Sequence, residues 1–476
     1  MICPKCGTEN ADGSRFCKTC GAPLADGAST AGTAVPTYPK KSSKKALVAV
    51  IAVVAVVLVA VLAANLLGIV HIGTSSSAGS QASGGQTSSG QASSDATMVS
   101  SALWSGNDTS PYVDQDGTEC GNTPSNYGQS APTVSDSDYD YFYSESEGGL
   151  CRAKKGSSQV DVILPTSKLE SADLHSSLYL NKDGDTLFFV ESYYRYSSSL
   201  SSSFAICSVG ADGSGFTTLL EIPSTDNSTG SYSYISGLYL YDHTLYYVVQ
   251  SLAGESRYSE YTYDVYTMDE DGSNQQKRCS IQLVGYAEFF VTKDKVYYKY
   301  NKPDVDNPGG YSRSSVFSQN LDGSDQQEVY VSSLSEIADG PLVQDGNVYV
   351  MESTSSNYSS GASRLQLTRI DASDNSPSVL WTGETLSYHD YYYLSAIADD
   401  NVYLIESNDG GLLSLVGVPL AGGDSKALSV DFAGLGPSLY NASDCLLLYG
   451  SNTAWSAGAE VTRIGFDGTV FREVVG

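Results

Sequence analysis

The chain has 476 residues, 54 Asp and Glu against 26 Lys and Arg, and a formal net charge of -28. The charge is unevenly spread: the first 45 residues hold seven Lys or Arg against three Asp or Glu, the remainder nineteen against fifty-one. So acidic a remainder excludes nucleic-acid binding, because phosphates need a basic surface; solubility accounts for the acidity, with cation holding as the alternative.

The N-terminus opens with Cys3-Pro-Lys-Cys6 and, after ten residues, Cys17-Lys-Thr-Cys20. Each Cys-x-x-Cys is followed by a glycine, Gly7 or Gly21, and forms a tight knuckle with two thiolates aimed at one metal. Two knuckles complete a tetrahedral tetrathiolate site for Zn2+. A redox dithiol is the alternative, and it needs one such pair on a thioredoxin-like unit. Residues 1–24 are too few to bury a core, so the metal supplies most of the folding energy. Four cysteines leave no open coordination position, which makes the zinc structural. With Phe16, these residues resemble the short zinc ribbon at the N-terminus of many bacterial membrane proteins. The resemblance implies a cytoplasmic module that either docks a cytoplasmic partner or caps a membrane anchor.

Residues 25–45 read as a basic juxtamembrane linker ending in Lys40, Lys41, Lys44 and Lys45. Ala46–Val70 then runs without a charge, with Asn65 its one polar side chain. As a helix it spans about 37 Å, enough to cross the hydrocarbon of a membrane with some tilt. Lysines before it, and no Lys or Arg in the next 25 residues, put the N-terminus in the cytoplasm and the rest outside. The expectation is a single-pass protein of the cell membrane with an uncleaved signal-anchor. Residues 71–100, rich in Ser, Gly, Ala and Gln, form a disordered stalk.

Residues 101–476 carry a repeat. A strand, turn and strand recur with the turn residue at Gly156, Gly213, Gly272, Gly323, Ala372, Gly422 and Gly468, at intervals of 46 to 59 residues. Asp-Gly between alternating apolar runs is a strong hairpin signal; Ala372 breaks it and predicts a different turn there. A second hairpin precedes the first in most units, as in LYLNKDGDTLFFVES and LVQDGNVYVMES. Two hairpins make a four-stranded meander, and seven meanders make an all-β fold, a β-propeller. Residues 95–138 would add a closing strand or a degenerate blade, so six or eight blades stay open. The units Val265–Ser273 and Val316–Ser324, with Leu245-Tyr246-Tyr247 and Val296-Tyr297-Tyr298, resemble a bacterial propeller family likened to those of low-density-lipoprotein-receptor-related proteins. That resemblance implies a fold and no reaction.

In a propeller both hairpin turns of each blade share one face, and the links share the other. The long links contain Tyr194, Arg195, Tyr196, Arg257, Tyr258, Tyr311, Arg313, Tyr358 and Tyr392, the candidate ligand-binding residues. Tyrosine suits sugar or peptide contacts, and arginine carboxylate or phosphate; the competing reading makes them strand residues and ion-pair partners. No G-x-S-x-G, H-E-x-x-H or P-loop occurs, and paired carboxylates are too many to single out. Asp183-Gly184-Asp185 and Asp269-Glu270-Asp271 are read as hairpin turns, with calcium the alternative. Of five further cysteines, Cys207 and Cys279 are expected to pack as small apolar residues, and Cys120 with Cys151 is a candidate disulfide. The expectation is a non-catalytic surface protein whose propeller binds or scaffolds an extracellular protein or cell-wall polymer. A wall-active carbohydrate enzyme and a transmembrane sensor are the alternatives.

Overall fold

The computed structural model describes residues 112–475 except 128–130, 145–146, 156, 158, 170–173, 175, 197–199, 227–230, 254–259, 304–310, 355–362, 372, 386–389, 409–410, 429, 431–434, 443, 452–458 and 467–468. They belong to one compact unit, Thr97–Gly476. Among them no helix is long and apolar enough to cross a membrane; Ala46–Val70 and the four zinc-ribbon cysteines lie outside the described residues.

Tyr, Val, Ile and Ser alternate along most segments, a pattern that packs well on a pleated surface and poorly on a helix. The result is seven antiparallel sheets, each a meander in chain order. Their innermost strands are Thr133–Ser135, Tyr179–Leu180, Ser231–Tyr241, Ala287–Val291, Glu336–Gln344, Asp390–Ala398 and Leu435–Asn441. Numbered in that order, these are the blades of a seven-bladed propeller. Six have four strands; the sheet of blade 3 gains Tyr112–Val113, Glu119–Cys120 and Thr225–Asp226.

Turn chemistry explains the repeat. Gly213, Gly272 and Gly323 sit at φ of +84°, +81° and +81°. In the third blade the Gly272 N–H donates to Asp269 O (2.9 Å) and the Asp269 N–H to Ser273 O (3.0 Å). This is the three-residue hairpin loop whose last position needs a left-handed residue. The serine after each glycine donates to the aspartate before it: the N–H of Ser214, Ser273 and Ser324 lies 2.9, 2.8 and 2.9 Å from a carboxylate oxygen. Serine hydroxyl and N–H together hold Asp212, Asp271 and Asp322 below the ordinary carboxylate pKa. The turn at Ala372 differs as expected. Its left-handed residue is Asn375 (φ +59°), whose N–H donates to Asp371 O at 2.7 Å.

Among the described residues of 95–138 there is no eighth blade and no closing strand. Thr133–Ser135 is the inner strand of blade 1, and Glu119–Cys120 lies along the inner edge of blade 3. Each blade therefore takes its four strands from one continuous stretch, and side chains close the ring. Phe142, Cys151 and Ala153 of blade 1 pack on Tyr440, Leu447, Tyr449 and Val461 of blade 7. Arg463 of blade 7 reaches buried Asp140 of blade 1 at 3.4 Å, and Lys155 of blade 1 reaches Asp444 of blade 7 at 3.1 Å.

Many of the 35 tyrosines are struts between blades. The hydroxyls of Tyr239 and Tyr241 in blade 3 donate to Phe289 O and Val291 O in blade 4, at 2.9 and 2.8 Å. Tyr263 accepts the Ala287 N–H at 2.9 Å, and Tyr179 donates to Leu238 O. A buried tyrosine fills a wide gap and needs one polar partner at its tip; the free inner edge of the next blade supplies that partner.

Candidate functional site

The innermost strands face the central channel; that of blade 3 pairs there with Glu119–Cys120 and Thr225–Asp226, and the others have no strand partner on that edge among the described residues. At the turn face that channel is occupied by the chain itself. Gly121–Tyr127, with the short helix Pro124–Tyr127, together with Ala131 lies against the inner strands of all seven blades. Tyr127 is buried among Tyr179, Tyr239, Tyr241 and Phe290, with ring centroids 5.1 to 6.2 Å away. Its hydroxyl donates to Leu240 O at 2.9 Å. Asn126 donates to Asn441 O at 2.8 Å and accepts the Asn441 N–H at 3.0 Å. Asn122 donates to Thr133 O (2.7 Å) and Leu178 O (2.8 Å). The N–H groups of Leu180 and Leu178 donate to Gly121 O and Ala131 O, both at 2.8 Å. All these partners lie at or beside the ends of inner strands that lead into hairpin turns, so the plug closes the turn-face mouth.

The link-face mouth is different. Tyr286, just before Ala287–Val291, and Tyr232 and Tyr393, in the first halves of Ser231–Tyr241 and Asp390–Ala398, are exposed at 57, 38 and 45 %. Close by, Lys299 pairs with Glu288 at 2.8 Å. Asp339 accepts the N–H groups of Leu394 and Gly340, at 2.9 and 2.8 Å, and so ties blade 5 to blade 6. Burial pushes its pKa up, opposed by those two N–H groups and by Lys299.

Under the link from blade 4 to blade 5 lies a buried carboxylate. Glu352, at 0 % exposure, accepts seven hydrogen bonds, all from neutral donors. The donors are the hydroxyls of Tyr330, Ser332, Ser333 and Thr368, the N–H groups of Ser333 and Leu334, and the Gln366 amide. Burial opposes the charge, but the bonds from Thr368, Tyr330, Ser332 and Leu334 outweigh it and hold the pKa below the usual value. The same strand position carries Glu191 in blade 2 and Glu406 in blade 6, each followed by serine. This Glu-Ser repeat is visible in the sequence as VES, MES and IES, and it was missed because acidic residues there are so common.

A cleft of about 740 Å³ opens between blades 1 and 2 on the turn face, lined by turn residues that include Asp136, Asp185 and Asp212. Its one arginine is engaged: Arg152 donates to Ala211 O at 3.0 Å and lies 5.0 Å over the Tyr139 ring. Turns from both hairpins of blade 2 line it, which confirms that they share a face.

The described tyrosine and arginine candidates do not gather on long loops. Tyr194, Arg195 and Tyr196 belong to the strand Thr186–Tyr196, which stays paired to its end through Tyr196 and Leu200. Tyr311 and Arg313 are in the strand Tyr311–Asn320, with Tyr311 opposite Pro303. At these two places Tyr and Ser prolong the ladder into the predicted link. Tyr392 lies in Asp390–Ala398 and packs on Trp381 at 5.4 Å, a contact between blades. Arg257, Tyr258 and Tyr358 lie outside the described residues. The Asp-rich turns are tied internally: Asp269 accepts the Asn274 amide at 2.6 Å. The candidate disulfide is corrected: Cys120 and Cys151 are free thiols, buried in blades 3 and 1. Cys207 and Cys279 pack as apolar residues, as expected.

Residues 2–24 match the zinc-ribbon domain family. No curated protein matches the chain. Among solved structures it is similar to an acylaminoacyl peptidase in complex with a chloromethyl ketone (12 % identity, TM-score 0.47, 72 % of this chain and 52 % of that one). It is also similar to the propeller domain of the Trilobed protease from Pyrococcus furiosus (10 %, 0.44, 72 % and 92 %) and to prolyl oligopeptidase B from Galerina marginata (13 %, 0.45, 73 % and 51 %). The chain spans about half the length of the acylaminoacyl peptidase, and at these identities the likeness is one of fold. These matches correct the expectation of a non-catalytic scaffold for a surface protein or cell-wall ligand: the propellers found are those of peptidases. Asp-Gly hairpins serve any propeller and carry nothing that separates the two.

Proposed function

We propose that the ring is a peptidase-related propeller, a channel closed at its turn face that takes a peptide chain through its link face. One observation carries this reading: the channel already holds a peptide, the chain's own Gly121–Tyr127. The grip is largely on main-chain groups, from Leu178, Leu180, Leu240 and Asn441. An extended peptide binds a free sheet edge in the same manner, with affinity from the main chain and selectivity from side-chain pockets. Tyr232, Tyr286 and Tyr393, exposed on the link-side halves of their inner strands, would add rigid amphipathic surface for an incoming chain. In this reading the tyrosines and arginines named from the sequence, Tyr194 to Tyr358, are further candidate contacts for that chain.

The rest of the chain completes the proposal. Cys3, Cys6, Cys17 and Cys20 hold one structural Zn2+, since four thiolates satisfy its tetrahedral preference. Ala46–Val70 anchors the protein in the cell membrane, with the ribbon in the cytoplasm and the ring outside. Kinship with the lipoprotein-receptor-like propellers rests only on the Val265–Ser273 and Val316–Ser324 units with Leu245-Tyr246-Tyr247 and Val296-Tyr297-Tyr298. Peptides are the substrate class for which the similar enzymes are named, and peptide cleavage by this chain belongs to the test.

The test incubates the full chain in detergent with short unstructured peptides and, separately, with wall oligosaccharides. Fluorescence anisotropy reads binding and mass spectrometry reads cleavage. The expected result is saturable peptide binding, weakened about tenfold by Tyr286→Ala as a central aromatic contact. Binding of oligosaccharide as tightly as peptide, or of neither, overturns the proposal.

A further inference from the structure

Lys299, in the second strand of blade 4 (Lys295–Pro303), is a buried ammonium with little to hold it. The residue is 8 % exposed, and the one partner of its ammonium among the described residues is Glu288, whose Oε2 lies 2.8 Å away. An ammonium carries three N–H groups, so two of them have no acceptor there. Glu288 stands opposite Lys299 in the ladder, on the innermost strand, and its side chain is 42 % exposed. An ion pair with so exposed a partner adds little to stability, while burial of the charge is costly. The pair alone therefore does not account for a lysine at this position.

The surroundings are rigid and partly open. Lys299 is flanked by Tyr298, which accepts the Gln326 amide at 2.6 Å, and by Tyr300, which donates to Val284 O at 2.8 Å. The Tyr300 bond, and that of the Ala287 N–H to Tyr263 at 2.9 Å, pin the backbone on both sides of exposed Tyr286. Glu288 follows Tyr286 by two residues. In blade 5, Ala338 is exposed beside Asp339, whose carboxylate holds the Leu394 N–H next to exposed Tyr393 of blade 6. We propose that the Lys299 ammonium, steadied by Glu288, is the channel's anchor for a main-chain carbonyl oxygen of the bound peptide. The anchor deepens the peptide-binding reading and rests on it.

The charges nearby select a neutral acceptor. Burial raises the pKa of Asp339 and of Glu336, and Lys299 opposes the rise at both, so its field reaches them. With Glu288, that sets three carboxyl groups around one ammonium. A carboxylate on the ligand would be repelled by the surplus. A carbonyl oxygen accepts a charge-assisted hydrogen bond and brings no charge of its own. Every residue of a peptide offers such a carbonyl, so the anchor is indifferent to sequence and leaves selection to the side chains around it.

Fluorescence anisotropy on the full chain in detergent tests this with a short peptide of uncharged residues, acetylated, amidated and carrying a neutral fluorophore. Lys299→Met keeps the apolar stem and removes the ammonium. It should weaken binding about tenfold, the loss expected for one hydrogen bond to a charged group, while the melting temperature holds because Glu288 stays hydrated. Lys299→Arg, which keeps charge and donors, should restore most of the binding. Alkene replacement of one peptide bond at a time should find a position that costs about tenfold in the unmodified chain and nothing in Lys299→Met. Binding by Lys299→Met as tight as that of the unmodified chain overturns this proposal alone. So does an alkene series with no costly position, or tighter binding of the same peptide with a free C-terminal carboxylate, both read on the unmodified chain. No binding of any peptide by the unmodified chain overturns the peptide reading along with it.

Discussion

Removal of the Glu352 carboxylate should unfasten blade 5 from blade 4. Seven neutral donors converge on two buried oxygens, four on Oε2 and three on Oε1. Hydrogen bonds to a charged group contribute about 1.5–3 kcal/mol each, but bonds that share one acceptor do not add, and desolvation of the charge offsets part of the sum. Breaking such a buried charged network from one side costs about 3–5 kcal/mol, since the stranded donors keep their own desolvation penalty. Glu352→Ala should therefore destabilise by about 4 kcal/mol. Glu352→Gln should lose about 2 kcal/mol, because hydroxyls can turn to accept from its amide while the Ser333 and Leu334 N–H groups still find an oxygen. Urea unfolding followed by Trp381, which sits in the same blade, reads the loss once Trp104 and Trp455 are replaced by Phe. With a slope of about 3 kcal/mol per molar, the Ala variant should unfold about 1 M earlier. The pKa is depressed in the fold, so the stabilisation is present above the unfolded value of about 4.3 and lost as pH falls through the lower folded value. Glu352→Gln should flatten that acid limb. An Ala variant within about 0.5 kcal/mol of the parent would show that the converging donors find water equally well and would refute the reasoning.

Two more outcomes rest on the packing. The thiols of Cys120, Cys151, Cys207, Cys279 and Cys445 are buried, and burial pushes Cys151, Cys207 and Cys445 up to about 12; they should resist a thiol reagent at pH 8 and react in denaturant, and a Cys120–Cys151 peptide in a non-reducing digest would contradict this. Gly213→Ala should cost far more than Gly422→Ala although both have similar φ. A Cβ at Gly213 would lie 2.2 Å from Ile163 O of the neighbouring blade, whereas at Gly422 it meets nothing within 4 Å. Equal melting temperatures for the two variants would show that the blades separate at no cost.

Local chemistry wrote much of this protein into its sequence. Asp-Gly-Ser triplets mark hairpins because a left-handed residue and a carboxylate cap are properties of five or so consecutive residues, and their spacing then counts the blades. The Cys-x-x-Cys pair is equally local, and residues 2–24 match the zinc-ribbon domain. The lengths of the links were not legible, since Tyr194 and Tyr311 prolong strands only when a partner strand runs alongside. Nor was the purpose of the tyrosines: a hydroxyl that donates to the next blade's main chain looks, in sequence, like one awaiting a ligand.

What only the tertiary structure decided lies far apart along the chain. Asn126 meets Asn441 across 315 positions, and Tyr112 meets Asp345 across 233. No periodicity announces such pairs, because a ring brings its first residues to all of its blades at once. That is why the fold is spelled out blade by blade, while the plug exists only after the circle is complete.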